Sequence, residues 1–225
     1  MITIAKLIDL NAPNNQGLTP FHFACMSGKT DIVEFLLSQS RTKLINLNAA
    51  TNDGSTGFMF ACEDGNVEVV ELLLDNSKMR SININAKNAG GQTALMLACL
   101  NKEVAKLLLD HSKIKVNEVD NEGNTAFIEA CYWGSIDVVK IMLEDSNVEG
   151  IDLNARNSRG NTGFISACNQ GHTDIIKLLL DDSRNGNIDI NLNAKNNLGY
   201  SGFDLVCLGG HNDLIQLLQD FFKEK

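Results

Sequence analysis

The sequence repeats itself with a nearly constant period, and this repetition constrains the fold more than any other feature. Glycines recur in steps of 37, 37, 32, 37 and 39 residues: Gly17, Gly54, Gly91, Gly123, Gly160 and Gly199. Cysteines recur with the same steps: Cys25, Cys62, Cys99, Cys131, Cys168 and Cys207. Because two independent markers share one period, the sequence predicts six stacked structural units.

Each unit has the pattern of a helix, a turn and a second helix. A hydroxyl side chain two residues after the leading glycine supplies an N-cap acceptor for the first helix: Thr19, Thr56, Thr93, Thr125, Thr162 and Ser201. In most units a glycine then ends this helix, and an acidic residue begins the next one, where it complements the helix dipole. An apolar block with helical spacing follows, as in residues 33–37. The unit closes with a turn-forming Asn-x-Asn-Ala-Lys/Arg motif, as in residues 83–87.

These motifs resemble the ankyrin-repeat family. Residues 17–24, Gly-Leu-Thr-Pro-Phe-His-Phe-Ala, are similar to the turn and first helix of that family, and residues 171–180 are similar to its second helix. The resemblance implies an all-α solenoid of six helix-turn-helix units plus an N-terminal half unit, joined by short β-turn or hairpin fingers. We expect one domain over residues 1–225, with a half unit at 1–13 and repeats at 14–51, 52–87, 88–120, 121–156, 157–195 and 196–225. The chain begins inside a unit, which indicates either a half-unit cap or a cut from a longer array.

The units depart from the family pattern in three ways. Most are about four residues longer than the usual period of about 33, so we expect a longer second helix or an extended loop, for example between Asp75 and Ile84. Only the first unit has Pro20 and His22, so a Thr–His bond is expected there and apolar packing elsewhere. The third unit lacks the glycine between its helices and has a trimmed loop. We therefore expect a bent or weakened stack near residues 99–122.

Composition excludes several classes of function. The net charge of −9 repels nucleic-acid backbones and anionic membrane surfaces, and no apolar stretch approaches the roughly 20 residues of a membrane helix. Since equivalent atoms of stacked helices lie roughly 8–10 Å apart, the six cysteines are expected to be buried, reduced thiols rather than disulfides. This predicts an intracellular, cytoplasmic protein, with the nucleus possible.

No constellation in the sequence indicates an enzyme. His22, His172 and His211 fall where the resemblance implies structural histidines, Cys131 has no histidine beside it, and no glycine loop is suited to phosphate. We therefore predict a protein with no catalytic residue, no cofactor and no metal site.

Positions that vary between units, within a constant frame, are the candidates for recognition. The resemblance implies that partners bind the concave face, at Phe23, Met26, Phe60, Glu63, Leu97, Leu100, Glu129, Tyr132, Trp133, Ser166 and Asn169. If exposed, the apolar members in the first three units form a stripe typical of an interaction site. The alternative is that Phe60 and Leu97 belong to the core and that Trp133 packs under the extended loop. At the finger tips, Lys87, Arg156, Arg159 and Lys195 form either a basic row for an acidic segment or ordinary solvated charge.

The sequence therefore predicts a monomeric, non-enzymatic module that binds another protein or a peptide segment in its concave groove and at its finger tips. Glu63 and Glu129 would select basic side chains, and Lys87 and Arg156 acidic ones. Two alternatives stay open at this point. One is a structural spacer or fragment of a longer repeat array, and the other is an adaptor that recruits a catalytic partner through a second surface.

Overall fold

The computed structural model describes residues 9–40, 45–75, 82–144 and 150–223, and the helices in these ranges come in pairs. The extra residues after Asp75, where the sequence predicts a longer helix or loop, lie largely outside this part of the chain. In the described residues we number the α-helices α1 (Pro20–Met26), α2 (Thr30–Ser40), α3 (Gly57–Glu63), α4 (Val67–Leu74), α5 (Ala94–Leu97), α6 (Lys102–Leu109), α7 (Ala126–Trp133), α8 (Ile136–Glu144), α9 (Gly163–Gln170), α10 (Thr173–Asn185), α11 (Gly202–Leu208) and α12 (Asn212–Lys223).

The chain divides into two compact units, residues 1–115 (unit 1) and 116–225 (unit 2). In unit 1 the first helices α1, α3 and α5 pack in series, and the second helices α2, α4 and α6 do the same. In unit 2, α7, α9 and α11 pack in series, and α8 packs on α10. Each unit is thus a layer of first helices beside a layer of second helices.

The first helices begin where the hydroxyl positions predict them. The Thr125 and Thr162 hydroxyls accept hydrogen bonds from the amides of Ile128 and Ile165, at 3.2 and 3.3 Å. This arrangement satisfies a backbone donor that would otherwise have no partner in the first turn. The predicted N-cap role of these residues is confirmed.

The predicted Thr–His bond is present in the first repeat. In the next two repeats a methionine sulfur takes the place of the histidine nitrogen. The Thr19 hydroxyl lies 2.8 Å from His22 Nδ1, and His22 Nε2 lies 2.9 Å from the Ala49 carbonyl. In the following repeats the Thr56 and Thr93 amides approach the sulfurs of Met59 and Met96 at 3.5 and 3.4 Å. We expected apolar packing alone there, and the thioether adds a weak acceptor.

The core lies between the two helix layers of each unit. Five of the six cysteines are buried and all six are free thiols, as expected, whereas Cys207 in α11 is exposed. Aromatic residues of one first helix face a glycine at the start of the next. A Cβ atom built on Gly163 would lie 2.5 Å from the Phe127 ring, so only glycine permits this close approach.

Asparagines join successive loops between the repeats. The second asparagine of the closing motif accepts a hydrogen bond on its side-chain oxygen from a backbone N–H of the next copy. The Asn83 amide donates to Asn48 at 2.8 Å, and the Asn191 amide donates to Asn154 at 2.7 Å. Asn154 also donates to the Asp189 carbonyl at 3.0 Å. The sequence predicted only a turn at this motif; its side chains also bridge neighbouring repeats.

The third repeat is the least regular. Helix α5 has four residues and continues as a 3-10 helix over Ala98–Leu100, and Asn101 then caps α6 by accepting the Val104 amide at 3.1 Å. An asparagine cap thus replaces the missing glycine turn. The division between unit 1 and unit 2 falls after Lys115, inside the region that the sequence marks as irregular.

Candidate functional site

In unit 1 the predicted partner-binding residues lie on the first helices with graded exposure. Phe23 is 47% exposed and Leu100 is 71% exposed. Met26, Phe60 and Leu97 are half-buried, and Glu63 is exposed. The predicted apolar stripe therefore has two well-exposed members and three partly covered ones. Phe60 and Leu97 are neither fully exposed nor part of the buried core.

An open depression of about 400 Å³ lies beside these residues in unit 1. Its apolar lining is Leu18, Met26 and Phe60, and its polar lining comes from two successive fingers: Gln16, Thr51, Asn52 and Asp53. The His22 ring packs edge-on against the Phe60 ring with centroids 5.9 Å apart, and this contact restricts the orientation of Phe60. The depression can accept an apolar side chain of a partner against Leu18, Met26 and Phe60, while the partner's backbone lies against the polar finger residues.

Asp53 gives this depression an acidic rim. Its carboxylate accepts hydrogen bonds from the Thr51 hydroxyl and, at 3.3 Å, from the Ser55 hydroxyl. The bond from Thr51 lowers the pKa of Asp53 below its ordinary value, so the side chain is charged at neutral pH. Burial, with the nearby Asp64 and Asp53 charges, raises the pKa of Glu63. This face of unit 1 therefore favours a cation beside the apolar contact.

In unit 2 the predicted residues form a compact group at the end of α7. Trp133 is 55% exposed and Tyr132 is 42% exposed, and their rings meet edge-to-face with centroids 5.2 Å apart. The Trp133 indole N–H donates to the Glu129 carboxylate at 2.9 Å, across one helical turn. The i and i+4 spacing of Glu129 and Trp133 places both side chains on one face of α7.

Glu129 sits in an unfavourable environment for a charge. Burial raises its pKa, and the nearby carboxylates of Asp120 and Glu122 raise it further, while hydrogen bonds from Trp133 and Asn124 lower it. Glu122 in turn contacts Arg159 at 3.5 Å. Glu129 is therefore a half-buried carboxylate that lies near Asp120 and Glu122 and is hydrogen-bonded to the exposed indole of Trp133.

The other two predicted members in unit 2 differ from each other. Asn169 is exposed, as expected. Ser166 is only 3% exposed, so its side chain offers no contact to a partner, and this part of the prediction is corrected. Phe23 and Glu129 occupy the equivalent position in other repeats, and their longer side chains reach solvent from a position where a short one is covered.

The finger-tip cations are partly engaged within the fold. Arg156 donates from Nη2 to the Lys195 carbonyl at 2.7 Å, and Arg159 pairs with Glu122. Lys195 forms an isolated β-bridge with Ser201. Lys87 is exposed on unit 1. Binding of an acidic segment at these positions stays a prediction, and Arg156 and Arg159 already have a structural use.

The thiols, the possible metal ligands and the helix lengths of the described residues bear on other classes of function. Burial raises the pKa of the Cys131 and Cys168 thiols far above the ordinary value, which disfavours a nucleophilic thiolate. Within the described ranges, no cluster of His, Cys, Asp and Glu side chains has the arrangement of a metal site. None of the helices described has the length and apolar character that crossing a bilayer requires.

Sequence reasoning missed the finger residues that line the depression of unit 1, among them Leu18 and Asp53. It had predicted finger contacts only at basic residues of other repeats. The signal was available, since the positions of Leu18 and Asp53 vary between repeats while the neighbouring glycine and hydroxyl stay constant.

Comparison with protein families gives a match along most of the chain. A family model described as ankyrin repeats in three copies matches residues 2–88 and 78–157, and a single ankyrin repeat matches residues 159–197. Comparison with curated proteins gives no match.

Proposed function

Because this chain belongs to the ankyrin-repeat family, whose members are generally protein–protein interaction modules, we propose that it binds a segment of a partner protein on the exposed side of its first helices. The finger tips border this surface and contribute polar contacts. The partner segment is extended or helical, and it places apolar side chains against the first helices.

One observation carries this proposal: large apolar side chains are exposed at positions where the surrounding frame is buried. Phe23, Leu100, Tyr132 and Trp133 are all more than 40% exposed. Burying a side chain of this size is worth about 1.5–3 kcal/mol, so an exposed one gives up that stabilisation. Within each unit, exposed apolar residues beside the first helices are typical of an interaction site.

The fold is suited to binding without rearrangement. Phe23 lies between the buried residues His22 and Ala24, and the asparagine bridges hold neighbouring repeats together. A surface presented on a fixed frame loses little conformational entropy on binding. We therefore propose rigid presentation as the mechanism, by a monomer in a reducing, intracellular compartment where the free cysteines stay reduced.

The same chain is proposed to act without catalysis, in line with the typically non-catalytic character of the family. The high pKa of the buried thiols supports this, since a thiol nucleophile must ionise. Turnover of any substrate that is lost in Cys131→Ala or His172→Ala would contradict it.

The test compares two phenylalanines of unit 1 that differ in location. Phe23 lies on first helix α1, and Phe35, 57% exposed, lies on second helix α2. Phe23→Glu and Phe35→Glu make the same change in size and charge. After circular dichroism shows both to be folded, we expect affinity capture from a cell lysate to lose the partner with Phe23→Glu and to retain it with Phe35→Glu. If both variants retain the partner, the proposal that the first helices of unit 1 bind it would be wrong.

A second candidate function has its own observation. Ile32 and Phe35 are exposed large apolar residues three apart on α2, which gives unit 1 a second apolar surface. An adaptor that recruits a catalytic partner would use such a surface. It predicts that Phe35→Glu loses one captured protein and Phe23→Glu another. Failure of the wild-type chain to capture any protein would favour the structural-spacer alternative.

A further inference from the structure

The net charge of the protein is concentrated in unit 2. Residues 116–225 contain 8 Lys and Arg against 17 Asp and Glu, whereas residues 1–115 contain 11 of each. The whole net charge of −9 therefore belongs to unit 2. A surface with such a field attracts cationic segments and raises their association rate.

The exposed aromatic pair lies within this acidic unit. Tyr132 and Trp133 are held edge-to-face, and the indole N–H binds the Glu129 carboxylate at 2.9 Å. A carboxylate has about four acceptor positions, so the indole bond leaves further acceptor capacity on Glu129. Asp120 and Glu122 add negative potential.

The backbone under the pair is fixed from both ends of α7. Thr125 caps the beginning of the helix, and Gly134 ends it in the left-handed conformation with φ of 75°. The His172 ring lies 2.8 Å from the Tyr132 carbonyl, which ties the last turn of α7 to the next repeat. The backbone that carries the pair is thus fixed before a ligand binds, and the indole–carboxylate bond orients Trp133 relative to Glu129.

We propose that Glu129, Tyr132 and Trp133 form a site for one basic side chain, Lys or Arg, of the partner segment. The ammonium or guanidinium group lies against an exposed aromatic ring and binds the Glu129 carboxylate. This inference rests on the proposed function, because it names the chemistry that unit 2 recognises in a partner.

The arrangement favours a cation over other occupants. An aromatic ring attracts a cation on its face, most strongly in tryptophan. An acidic side chain would meet the carboxylates of Asp120 and Glu129, and that of Glu122, whose charge Arg159 partly compensates at 3.5 Å. A purely apolar side chain would cover the half-buried Glu129 without a counter-charge, which is costly. A basic side chain removes this cost and keeps its apolar stem on the rings.

The probe is a capped peptide, Gly-Ser-Lys-Lys-Ser-Gly, and its counterpart with norleucine in place of both lysines. The chain has one tryptophan, so the indole N–H resonance in a nitrogen-correlated NMR spectrum reports on Trp133 alone. Titrations use the full chain at a fixed salt concentration of about 0.15 M, which screens distant charges. We expect the lysine peptide to shift this resonance saturably and the norleucine peptide to leave it unchanged.

Glu129→Gln removes the charge and keeps an oxygen that can accept the indole N–H. We expect it to weaken binding of the lysine peptide about fivefold to tenfold, as for loss of a charge-assisted hydrogen bond. Glu144→Gln, at the exposed end of α8 in the same unit, is the matched control and should change binding less than twofold.

Three results would overturn the site. These are equal shifts with both peptides, unchanged binding in Glu129→Gln, and equal weakening in Glu144→Gln, which would indicate general attraction to an acidic unit. The peptide comparison on the wild-type chain decides the question even if Glu129→Gln fails to fold. Because the capture experiment above depends on Phe23 of unit 1, its failure can be distinguished from failure here.

Discussion

Glu129 is a residue whose environment opposes its own charge. Burial and the neighbouring acids raise its pKa, so the folded protein binds a proton at this side chain more readily than the unfolded chain does. Stability contributed by the protonated form is complete below the ordinary value of 4.5 and is lost as the pH rises through the raised pKa. At neutral pH the ionised Glu129 therefore lowers the stability of unit 2, as functional residues often do.

We accordingly expect Glu129→Gln to be more stable than the wild type at pH 7.5, because the raised pKa shows that the ionised side chain is disfavoured in the folded protein. The difference should shrink as the pH falls through the raised pKa and should vanish below about 4.5. Urea unfolding of both proteins at a series of pH values measures it. A difference independent of pH would contradict the argument, and Glu144→Gln serves as the control.

Gly163 is a second single residue with a specific requirement, because the Phe127 ring leaves no room for a side chain there. In most helices Ala is favoured over Gly by about 1 kcal/mol. Here a Cβ atom would lie 2.5 Å from the Phe127 ring and 3.1 Å from the Cys131 sulfur. We expect Gly163→Ala to destabilise the protein by about 1–3 kcal/mol, which is typical of overpacking.

The double variant Gly163→Ala, Phe127→Leu tests the cause of that loss. Leucine already occupies the position of Phe127 in the third repeat, as Leu95, so the substitution suits the repeat frame. Chemical denaturation should show that Gly163→Ala costs less in the Phe127→Leu background than in the wild type. An equal cost in both backgrounds would exclude the steric explanation.

At the scale of elements, the asparagine of the closing motif couples one repeat to the next. Asn154 accepts a hydrogen bond from the Asn191 amide and donates one to the Asp189 carbonyl. The side chain of Asn193, its equivalent one repeat later, is exposed and forms no hydrogen bond with the described residues. We expect Asn154→Ala to lower the free energy of unfolding by about 1–2 kcal/mol, for two hydrogen bonds.

Asn193→Ala makes the same substitution at the same motif position and should change stability by less than about 0.5 kcal/mol, as an exposed substitution does. Thermal and urea unfolding of the two variants compare them directly. If both substitutions cost the same, the motif stabilises each turn locally and does not bridge the repeats.

The sequence predicts some structural elements better than others. The helix pairs, their N-caps and the buried cysteines follow from periodic positions, because each repeat solves the same packing problem. The bridge made by Asn154 was not predictable, since a single motif does not reveal where its side chain points. In the candidate site the sequence singled out the positions of Phe23 and Trp133 but left their exposure open, and it did not predict the burial of Ser166. Exposure at one equivalent position depends on the length of the side chain and on its neighbours.

For the whole molecule, the irregular third repeat bears on how the chain unfolds. In a linear array, stability is approximately a sum of repeat and interface terms, so the weaker interface decides whether unfolding takes one step or two. Helix α5 has only four residues, and the chain divides into two compact units after Lys115. We expect amide hydrogen exchange to give one opening free energy for α1–α4 and a different one for α7–α10.

A variant in each unit makes this prediction specific. Gly57→Ala places a Cβ atom 2.8 Å from the Phe21 ring in unit 1, and Gly163→Ala makes the corresponding change in unit 2. Each should lower amide protection in its own unit and leave protection in the other unit within about 0.5 kcal/mol, as for independent sites. Hydrogen exchange followed by mass spectrometry resolves the two units. Equal loss of protection across both units in either variant would show that the chain opens as one cooperative array, and the third repeat would then transmit stability as well as the others do.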